Sequence, residues 1–400
     1  MQFEAKHVVY RTHTDKVLDM ELKRTVQVRE IVARIIQVIH MHKLEPNKHQ
    51  KAKRRNIQSV VSMLIGQLIF YMGAYHVPEQ DKPVLDDGLF FSKELINAIP
   101  DEYIIDYLRN SLSSGAVAVS EAEASAVVEE CGIKKMWAAA IDELILCSKH
   151  ANVKRVVAKP RKVKKATGVH YVVRGDIGDI VTAEISEDTY NMLVSRHNKA
   201  NCVLDVDDLV CSLLMRYSAL GSGANQYGMP KVIKDEFRNK LGINMELLSS
   251  SLNSYYDNYC SIFEDLEQYF GSSGSIKNIR PISGIFMANP PYEHMILELM
   301  MDLFCASLEA AEKGNKLLVF AFGLPYWTDD PPLPFYSKFT KSKYYMGRII
   351  LQDAIWEELT TGRKPRLGMK SYRCLMGHIP DDNGNVKKNF AMIVDQWQKL

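Results

Sequence analysis

The residues of this chain best suited to chemistry are four consecutive ones, Asn289, Pro290, Pro291 and Tyr292. The side-chain carbonyl of Asn289 and the backbone carbonyl of Pro290 can each accept one N–H of an exocyclic amine such as adenine N6. Those bonds would localise a lone pair that is otherwise delocalised into the ring and aim it at an electrophilic methyl group. The prolines stiffen the turn and remove competing donors, and Tyr292 offers a flat face for base stacking.

The elements on either side must hold those carbonyls in place. An apolar run, residues 284–288, predicts a buried strand before the tetrad, and the amphipathic run 293–301 predicts a helix after it. A strand that ends in Asn-Pro-Pro-Tyr and gives way to a helix is the amine-methylating signature of adenosylmethionine-dependent transferases. A chance Asn-Pro turn at the end of a strand is the alternative, because this dipeptide often opens turns.

A candidate cofactor site precedes the tetrad. Residues 242–253 predict a strand, an acidic residue, a loop of small residues and then the start of a helix. In doubly wound sheets the ligand lies at the carboxyl ends of the strands, where small residues let the backbone approach it. We therefore expect Glu246 to meet the positively charged methionyl end of the cofactor. Ser249 and Ser250 would line its path, and an ordinary serine-rich helix cap is the alternative.

Several short motifs, including both segments above, stand in the order and at the spacing of a known family. They are Arg216-Tyr217, Leu220, Gly223-Ala224-Asn225, Glu246 to Asn253, Tyr259-Cys260-Ser261, Phe263-Glu264-Asp265, Tyr269-Phe270-Gly271-Ser272, Ser283-Gly284, Phe286, Ala288 to Tyr292 and Pro325-Tyr326-Trp327. Over roughly residues 169–394 the chain resembles the phosphorylated-CTD-interacting-factor family, the cap-specific adenosine N6-methyltransferases of messenger RNA.

The resemblance implies a Rossmann-like class I methyltransferase core, S-adenosyl-L-methionine as the cofactor and capped messenger RNA beginning with adenosine as the partner. The expected substrate carries 7-methylguanosine and a 2′-O-methyl group on that adenosine. The cofactor-binding residues that the resemblance implies are Asn225, Glu246, Ser249, Ser250, Asn253, Asp265 and Asn289.

The chain also departs from the family pattern. The family usually has Phe after Asn-Pro-Pro, so Tyr292 keeps the stacking face and adds a hydroxyl, and three serines, residues 249–251, replace an Ala-Ser-Pro core. Vertebrate members carry an N-terminal WW module that binds phosphorylated polymerase tails. None of the four tryptophans forms a pair inside a short N-terminal sheet, so we expect no such module and no polymerase-tail binding.

Candidate RNA contacts come from the distribution of charge, since the formal net charge is only +2. One basic cluster, residues 154–165, includes Lys159 and Arg161, and a second, residues 48–55, includes Arg54 and Arg55. Either could contact an RNA backbone or the triphosphate bridge of a cap. A solvated linker, a helix start or a nuclear import signal is the alternative.

Aromatic and polar residues near the end of the chain are further candidates. Tyr326 and Trp327 follow the predicted strand 316–322, so they lie at the same edge as Asn289, ready to stack on the cap guanine or wall the adenine pocket. Core aromatics in a loop are the alternative. Tyr372-Arg373 and His378 resemble the family's closing substrate segment only thinly, and His294 predicts a capping or surface residue rather than a base.

Residues 1–153 predict a helical domain, with helices near 16–42, 57–75, 92–97, 102–111 and 121–147. The most apolar stretch, residues 60–77, approaches spanning length but contains Ser62 and Gln67, which favours a buried helix. The basic stretch 154–167 predicts a domain linker. Residues 168–400 predict the Rossmann-like methyltransferase domain.

Within that domain, residues 169–174 and 180–185 predict an antiparallel pair, and residues 316–322 and 390–394 predict buried strands. Alternating helices and buried strands are typical of an α/β doubly wound core. Seven cysteines without paired spacing predict reduced thiols and no structural metal. With no secretory signal, we expect a protein of the nucleus or cytoplasm.

Two other functions stay open at this point. The same chemistry would serve N6 methylation of internal RNA or of DNA adenine. A non-catalytic capped-RNA-binding protein with a relic transferase fold is the third possibility. The intact Asn-Pro-Pro-Tyr tetrad argues against the relic, because such a protein has no use for the two carbonyls.

Overall fold

The fold comes from a computed structural model, which describes residues 2–5, 17–46, 57–75, 93–114, 117–149, 161–165, 168–175, 178–219, 227–327, 333–358, 360, 363–381 and 384–400. The helices in these ranges are α1 (Val17–Met41), α2 (Ile57–Tyr75), α3 (Lys93–Ala98), α4 (Asp101–Ser111), α5 (Glu121–Cys131), α6 (Ile133–Lys149), α7 (Glu187–Lys199), α8 (Val206–Ala219), α9 (Lys231–Leu241), α10 (Glu264–Glu267), α11 (His294–Lys313), α12 (Pro334–Lys341) and α13 (Asn385–Lys399). The strands are β1 (Gln2–Ala5), β2 (Glu45–Pro46), β3 (Leu112–Ser114), β4 (Val117–Ala118), β5 (Arg161–Lys165), β6 (Gly168–Gly175), β7 (Gly178–Ile185), β8 (Tyr227–Gly228), β9 (Met245–Ser249), β10 (Asn258–Ser261), β11 (Ile279–Ala288), β12 (Leu318–Pro325), β13 (Tyr345–Gln352), β14 (Glu357–Glu358) and β15 (Lys370–His378).

The central sheet has the strand order β10-β9-β11-β12-β15-β13. Strands β10, β9, β11 and β12 run parallel to one another. Strand β15 runs antiparallel to both β12 and β13, so β13 points the same way as the first four strands. The carboxyl ends of β9, β11 and β12 therefore meet at one edge of the sheet. At the opposite end of β11, residues 279–283 pair antiparallel with β1.

Each face of this sheet is covered by helices, as expected for parallel strands that are apolar on both sides. On one face, Phe286 and Phe320 share a buried cluster with α11 and with residues of α1, α2 and α4. Phe304 of α11 stacks on Phe320, with ring centroids 3.9 Å apart. On the other face, Val319 and residues of α9 and α13 form a second cluster.

The helices predicted for the first 150 residues are confirmed, with one break. The predicted helix 121–147 is divided into α5 and α6 by Gly132, whose left-handed φ of 58° ends α5. Helix α2 is buried as predicted, because its apolar residues from Val60 to Ile69 pack into the core. Among the described residues, no helix combines the length and apolar character that crossing a membrane requires.

Two local predictions are wrong. Residues 390–394 lie in α13, where Phe390, Ile393, Val394 and Trp397 are buried at helical spacing, and the antiparallel strand of the sheet is β15 instead. No helix starts at Asn253, since a turn and a short loop lead into β10. Within the predicted linker, residues 161–165 form β5, which pairs with β6. The predicted antiparallel pair β6–β7 is confirmed.

Candidate active site

The Asn-Pro-Pro-Tyr tetrad lies at the carboxyl edge of the sheet, as its sequence context predicts. Asn289 follows the last residue of β11, and α11 begins two residues after Tyr292. The backbone N–H of Glu293 donates to the Pro291 carbonyl at 2.8 Å and closes the turn. Pro290 is buried, whereas Asn289 and Tyr292 are partly exposed, so a ligand can reach both side chains.

The tetrad borders the point where the strand order reverses. From β9 the chain moves outward to β10, then crosses back to place β11 on the other side of β9. A crevice at the carboxyl ends of two such strands is the usual ligand site of open α/β sheets. The candidate crevice here lies between the turn after β9, residues 250–253, and Asn289 after β11. In the sheet, Glu246 of β9 is in register with Met287 of β11.

A buried arginine on β15 binds two side chains of the tetrad. Nη1 of Arg373 donates to Oδ1 of Asn289 at 3.1 Å, and Nη2 donates to the Tyr292 hydroxyl at 3.1 Å. Nη2 also donates to Oγ of Ser371 at 3.2 Å. The sequence linked Arg373 only thinly to substrate binding and gave no hint of these contacts, because Asn289 and Arg373 are 84 residues apart.

Gly323 lets the arginine reach the tetrad. Strand β12 lies between β11 and β15, and Gly323 is the residue of β12 in register with Arg373. A Cβ atom on Gly323 would lie 2.7 Å from Nη1 and 3.0 Å from Cζ of Arg373. The guanidinium therefore crosses β12 through the space that a side chain would fill.

Two indole rings, which pack edge to face on each other, contact the same guanidinium. Cζ of Arg373 lies 5.0 Å from the ring centroid of Trp356 and 4.8 Å from that of Trp397. The Nε1–H of Trp397 donates to the Ile355 carbonyl at 2.7 Å, which fixes that ring. Aromatic faces attract a desolvated cation, so helix α13, which carries Trp397, helps to hold the arginine in place.

The predicted cofactor residues next to β9 come together in one turn. The Oγ–H of Ser249 and the backbone N–H of Ser250 both donate to Oδ1 of Asn253 at 2.8 Å. Beneath the turn, the Ser251 N–H and the Tyr217 hydroxyl donate to the carboxyl of Glu267. Burial raises the pKa of Glu267 to about 7. The residues that follow β9 at this edge therefore include small side chains held by hydrogen bonds.

The two acidic residues predicted to bind cofactor have protein partners. Nζ of Lys234 lies 2.6 Å from Oε1 of Glu246, and the Tyr255 N–H donates to Oε2 at 2.7 Å. Nη1 of Arg216 donates to both oxygens of Asp265, at 2.7 and 2.9 Å. Any cofactor contact of either carboxylate would be made beside these partners and stays a prediction.

Glu293, the residue after the tetrad, contacts the N-terminal helices. Gln67 of α2 bonds to its carboxyl, and the hydroxyl of Tyr103 in α4 donates to Oε1 of Gln67 at 3.0 Å. Burial raises the pKa of Glu293 to about 8. The neutral carboxyl is therefore the main form near pH 7.

Tyr326 and Trp327 lie in one series of aromatic contacts at the carboxyl edge, joined through Tyr372, Tyr336 and Phe335. Tyr326 packs on Tyr372 with centroids 4.9 Å apart, while Trp327 packs on His294, also at 4.9 Å. Two cations cover the Tyr326 group, which is formed by Tyr326 and Tyr372. Nζ of Lys370 lies 5.5 Å from the Tyr326 centroid, and Cζ of Arg348 lies 4.5 Å from that of Tyr372.

The remaining predicted residues are not placed. Arg54, Arg55, Lys159 and Asn225 lie outside the described residues, and Arg161 is described only as part of the backbone of β5. Contacts of the two basic clusters with RNA therefore stay predictions.

Comparison with known proteins bears on the resemblance. The family model described as "Phosphorylated CTD interacting factor 1 WW domain" matches residues 189–357. The predicted family resemblance is confirmed over this range. The range contains the crevice, the tetrad and Tyr326-Trp327, and its described residues form helices and mainly parallel strands rather than a small antiparallel module. Arg373 lies beyond it.

Two curated relatives share part of the chain. The mRNA (2'-O-methyladenosine-N(6)-)-methyltransferase of Homo sapiens is 32% identical over 149 residues, which is 36% of this chain and 20% of the relative. The protein of the same name from Mus musculus is 31% identical over 149 residues, with the same shares. The match thus spans about a fifth of the length of these relatives.

Proposed function

We propose that this protein transfers a methyl group from S-adenosyl-L-methionine to N6 of the adenosine next to the cap of messenger RNA. The observation that carries the proposal is the placement of the Asn289 amide, at the carboxyl edge of β11 and beside the crevice formed with β9. The similarity to methyltransferases named for this reaction supports the same function. Internal RNA or DNA adenine is the less favoured substrate.

We propose a Rossmann-like class I fold for the catalytic core. Its support is the switch of strand order between β9 and β11, together with the reversed strand β15 near the far edge. The division into a helical domain (residues 1–153), a basic linker (154–167) and a catalytic domain (168–400) is part of this proposal. The buried cluster shared by the N-terminal helices and the sheet indicates that the first two-fifths of the chain support the catalytic strands.

The crevice fits a cofactor of this kind, because small serines border it on one side and Asn289 on the other. When bound, S-adenosyl-L-methionine supplies an electrophilic methyl group on a sulfonium. Oδ1 of Asn289 and the Pro290 carbonyl would each accept a hydrogen bond from one N–H of adenine N6, and the Tyr292 ring would stack on the base. After N6 has taken the methyl group it would carry a positive charge, and its proton would leave to solvent.

The substrate surface is proposed from the aromatic group at the end of β12. Tyr326 and Tyr372, with Lys370 and Arg348 above their rings, combine stacking faces with positive charge near the tetrad. Such a combination suits a base and its phosphates. Recognition of 7-methylguanosine and of a 2′-O-methyl group belongs to the proposal as well.

The test is methyl transfer from labelled S-adenosyl-L-methionine to short RNAs that differ only at the 5′ end. The full chain is assayed on capped and uncapped RNAs that begin with A or G, and the labelled nucleoside is identified after digestion. The first adenosine of the capped RNA carries a 2′-O-methyl group, and we expect label at its N6. Equal labelling of capped and uncapped RNA would favour internal adenosine, and the absence of labelling on every RNA would overturn the proposal.

A further inference from the structure

We infer that Arg373 is the positioning residue of the methyl-transfer site. The absence of a side chain at Gly323 gives the guanidinium the space that it needs to reach Asn289. The inference rests on the proposed function and adds a residue outside the range matched by the family model. One guanidinium donates to the two polar side chains of the tetrad, Asn289 and Tyr292, at 3.1 Å each. The same guanidinium thus fixes the amide that would orient the amine and contacts the hydroxyl of the ring that would hold the base.

The orientation of the Asn289 amide decides whether it can serve the reaction. An asparagine side chain presents a C=O group on one side and an NH2 group on the other. Only the C=O group can accept a hydrogen bond from the substrate amine. A flipped amide would place its own NH2 group against the N–H of the amine, and no hydrogen bond would form. Arginine has donors and no acceptor, so its bond to Asn289 selects the orientation in which Oδ1 faces Nη1. The second lone pair of Oδ1 stays available for the amine.

Lysine could not do the same work. The planar guanidinium places two donors in a rigid fork, whereas an ammonium is a point charge on a flexible stem. The indole rings of Trp356 and Trp397 lie 5.0 and 4.8 Å from Cζ, and their centroids are 5.2 Å apart, so both rings contact the flat cation from one side. Arg373 is 2% exposed, so its direction is set by packing as well as by its hydrogen bonds.

The guanidinium acts on the substrate only through Asn289 and Tyr292. A cation placed directly against the amine would oppose the positive charge that develops there. The indole faces offset part of that repulsion. Arg373 therefore differs from a catalytic residue, and removing it should change the reaction step more than the binding of either substrate.

The first experiment compares Arg373→Lys with the wild type on the RNA that the wild type methylates best. We expect kcat to fall by about 10- to 100-fold, the effect of a small misplacement at a reacting centre, while cofactor affinity stays within about twofold. The matched control is Arg366→Lys, an exposed arginine that donates to the Asp353 carbonyl. An Arg373→Lys enzyme with wild-type kcat would overturn the inference.

The second experiment is a double-mutant cycle with Gly323→Ala and Arg373→Met. The added methyl group would press on Nη1 of Arg373, so Gly323→Ala alone should lower kcat. In the Arg373→Met background the same alanine has no guanidinium to displace, and its effect should shrink to about twofold or less. Additive losses in kcat would show that Gly323 and Arg373 act separately.

A third readout needs no activity, so it separates this inference from the proposed function. The side-chain NH2 resonances of Asn289 are assigned by their loss in Asn289→Asp. In the cofactor-free protein they should shift in Arg373→Lys and stay unchanged in Arg366→Lys. Unchanged resonances in Arg373→Lys would refute the positioning role even if no RNA were methylated. A shift without any methyl transfer would refute the proposed function alone.

Discussion

Lys234 and Glu246 form a buried ion pair in which Nζ of α9 lies 2.6 Å from Oε1 on β9. The carboxylate also accepts the backbone N–H of Tyr255, which belongs to the segment between β9 and β10. A buried charge that loses its partner is costly, whereas removal of both partners is often tolerated. Variants of the two partners can therefore distinguish the contribution of Glu246 to stability from the cofactor contact predicted for it.

We expect Lys234→Met to lower the free energy of unfolding by about 3–5 kcal/mol, because it leaves Glu246 charged and unpaired. Adding Glu246→Gln to that variant should restore most of the stability without restoring the affinity for S-adenosyl-L-methionine. Thermal unfolding and calorimetry of cofactor binding measure the two effects. Cofactor affinity that is the same in the double variant and the wild type would remove Glu246 from the cofactor site.

Replacement of Asn289 with Ala should abolish turnover and leave cofactor affinity within about tenfold. The amide aligns the amine, and that interaction is realised mainly in the transition state. Single-turnover methyl transfer with saturating cofactor measures the loss. If Asn289→Ala kept most of its kcat, the amide would have no role in orienting the amine.

The Tyr292 ring should matter more than its hydroxyl. Tyr292→Phe removes the acceptor of one Arg373 bond but keeps the stacking face, and Ser371 still accepts from the same nitrogen. We expect nearly unchanged activity for Tyr292→Phe and a loss of about 1–3 kcal/mol in RNA binding for Tyr292→Ala. A Phe variant as inactive as the Ala variant would assign the main role to the hydroxyl.

Glu293→Gln should change how stability depends on pH. Burial raises the pKa of Glu293 from its ordinary 4.5 to about 8, so the folded protein binds more protons than the unfolded chain between these values. Stability from this group therefore falls as pH rises from about 4.5 to about 8. Glutamine does not ionise and avoids that loss. We therefore expect the Tm of the Glu293→Gln variant to exceed that of the wild type by roughly a few degrees at pH 8.5. At pH 5 the difference should vanish, and a constant difference across this range would contradict the pKa shift.

RNA that begins with a capped adenosine should be methylated at least roughly tenfold faster than the same RNA with a 5′ triphosphate. A methylated guanine is a cationic ring that stacks on Tyr or Trp, and the phosphate bridge attracts Lys and Arg. The preference should shrink at low salt, where non-specific phosphate binding favours the uncapped RNA too. Replacing Tyr372 with Leu should reduce the preference if the Tyr326 group holds the cap.

The sequence predicted the parts of the site that are local. Asn289 to Tyr292 stand between an apolar run and an amphipathic run, so their strand and helix were predictable from periodicity. The partners of these residues come from elsewhere in the chain. Arg373 reaches Asn289 across β12, and Lys234 reaches Glu246 from α9. Neither contact leaves a periodic signal, because it depends on which strands become neighbours.

The prediction of a strand at residues 390–394, where the structure has helix α13, has a related cause. A short apolar run satisfies strand and helix patterns alike, and length is the usual arbiter. Here the burial of Trp397, seven residues after Phe390, extends the pattern into a helix. Because of this error, the contact between the Trp397 indole and Arg373 was not predicted.

The pairing of residues 2–5 with residues 279–283 has a consequence for biosynthesis. The strand that leads to Asn289 acquires this neighbour from residues 2–5, which the ribosome delivers long before residues 279–283. Loop closure over so long a stretch is slow, and an unpaired strand edge invites association with other chains in the meantime. During translation, β1 must therefore remain unpaired with β11, exposed or bound by a chaperone, until β11 has emerged.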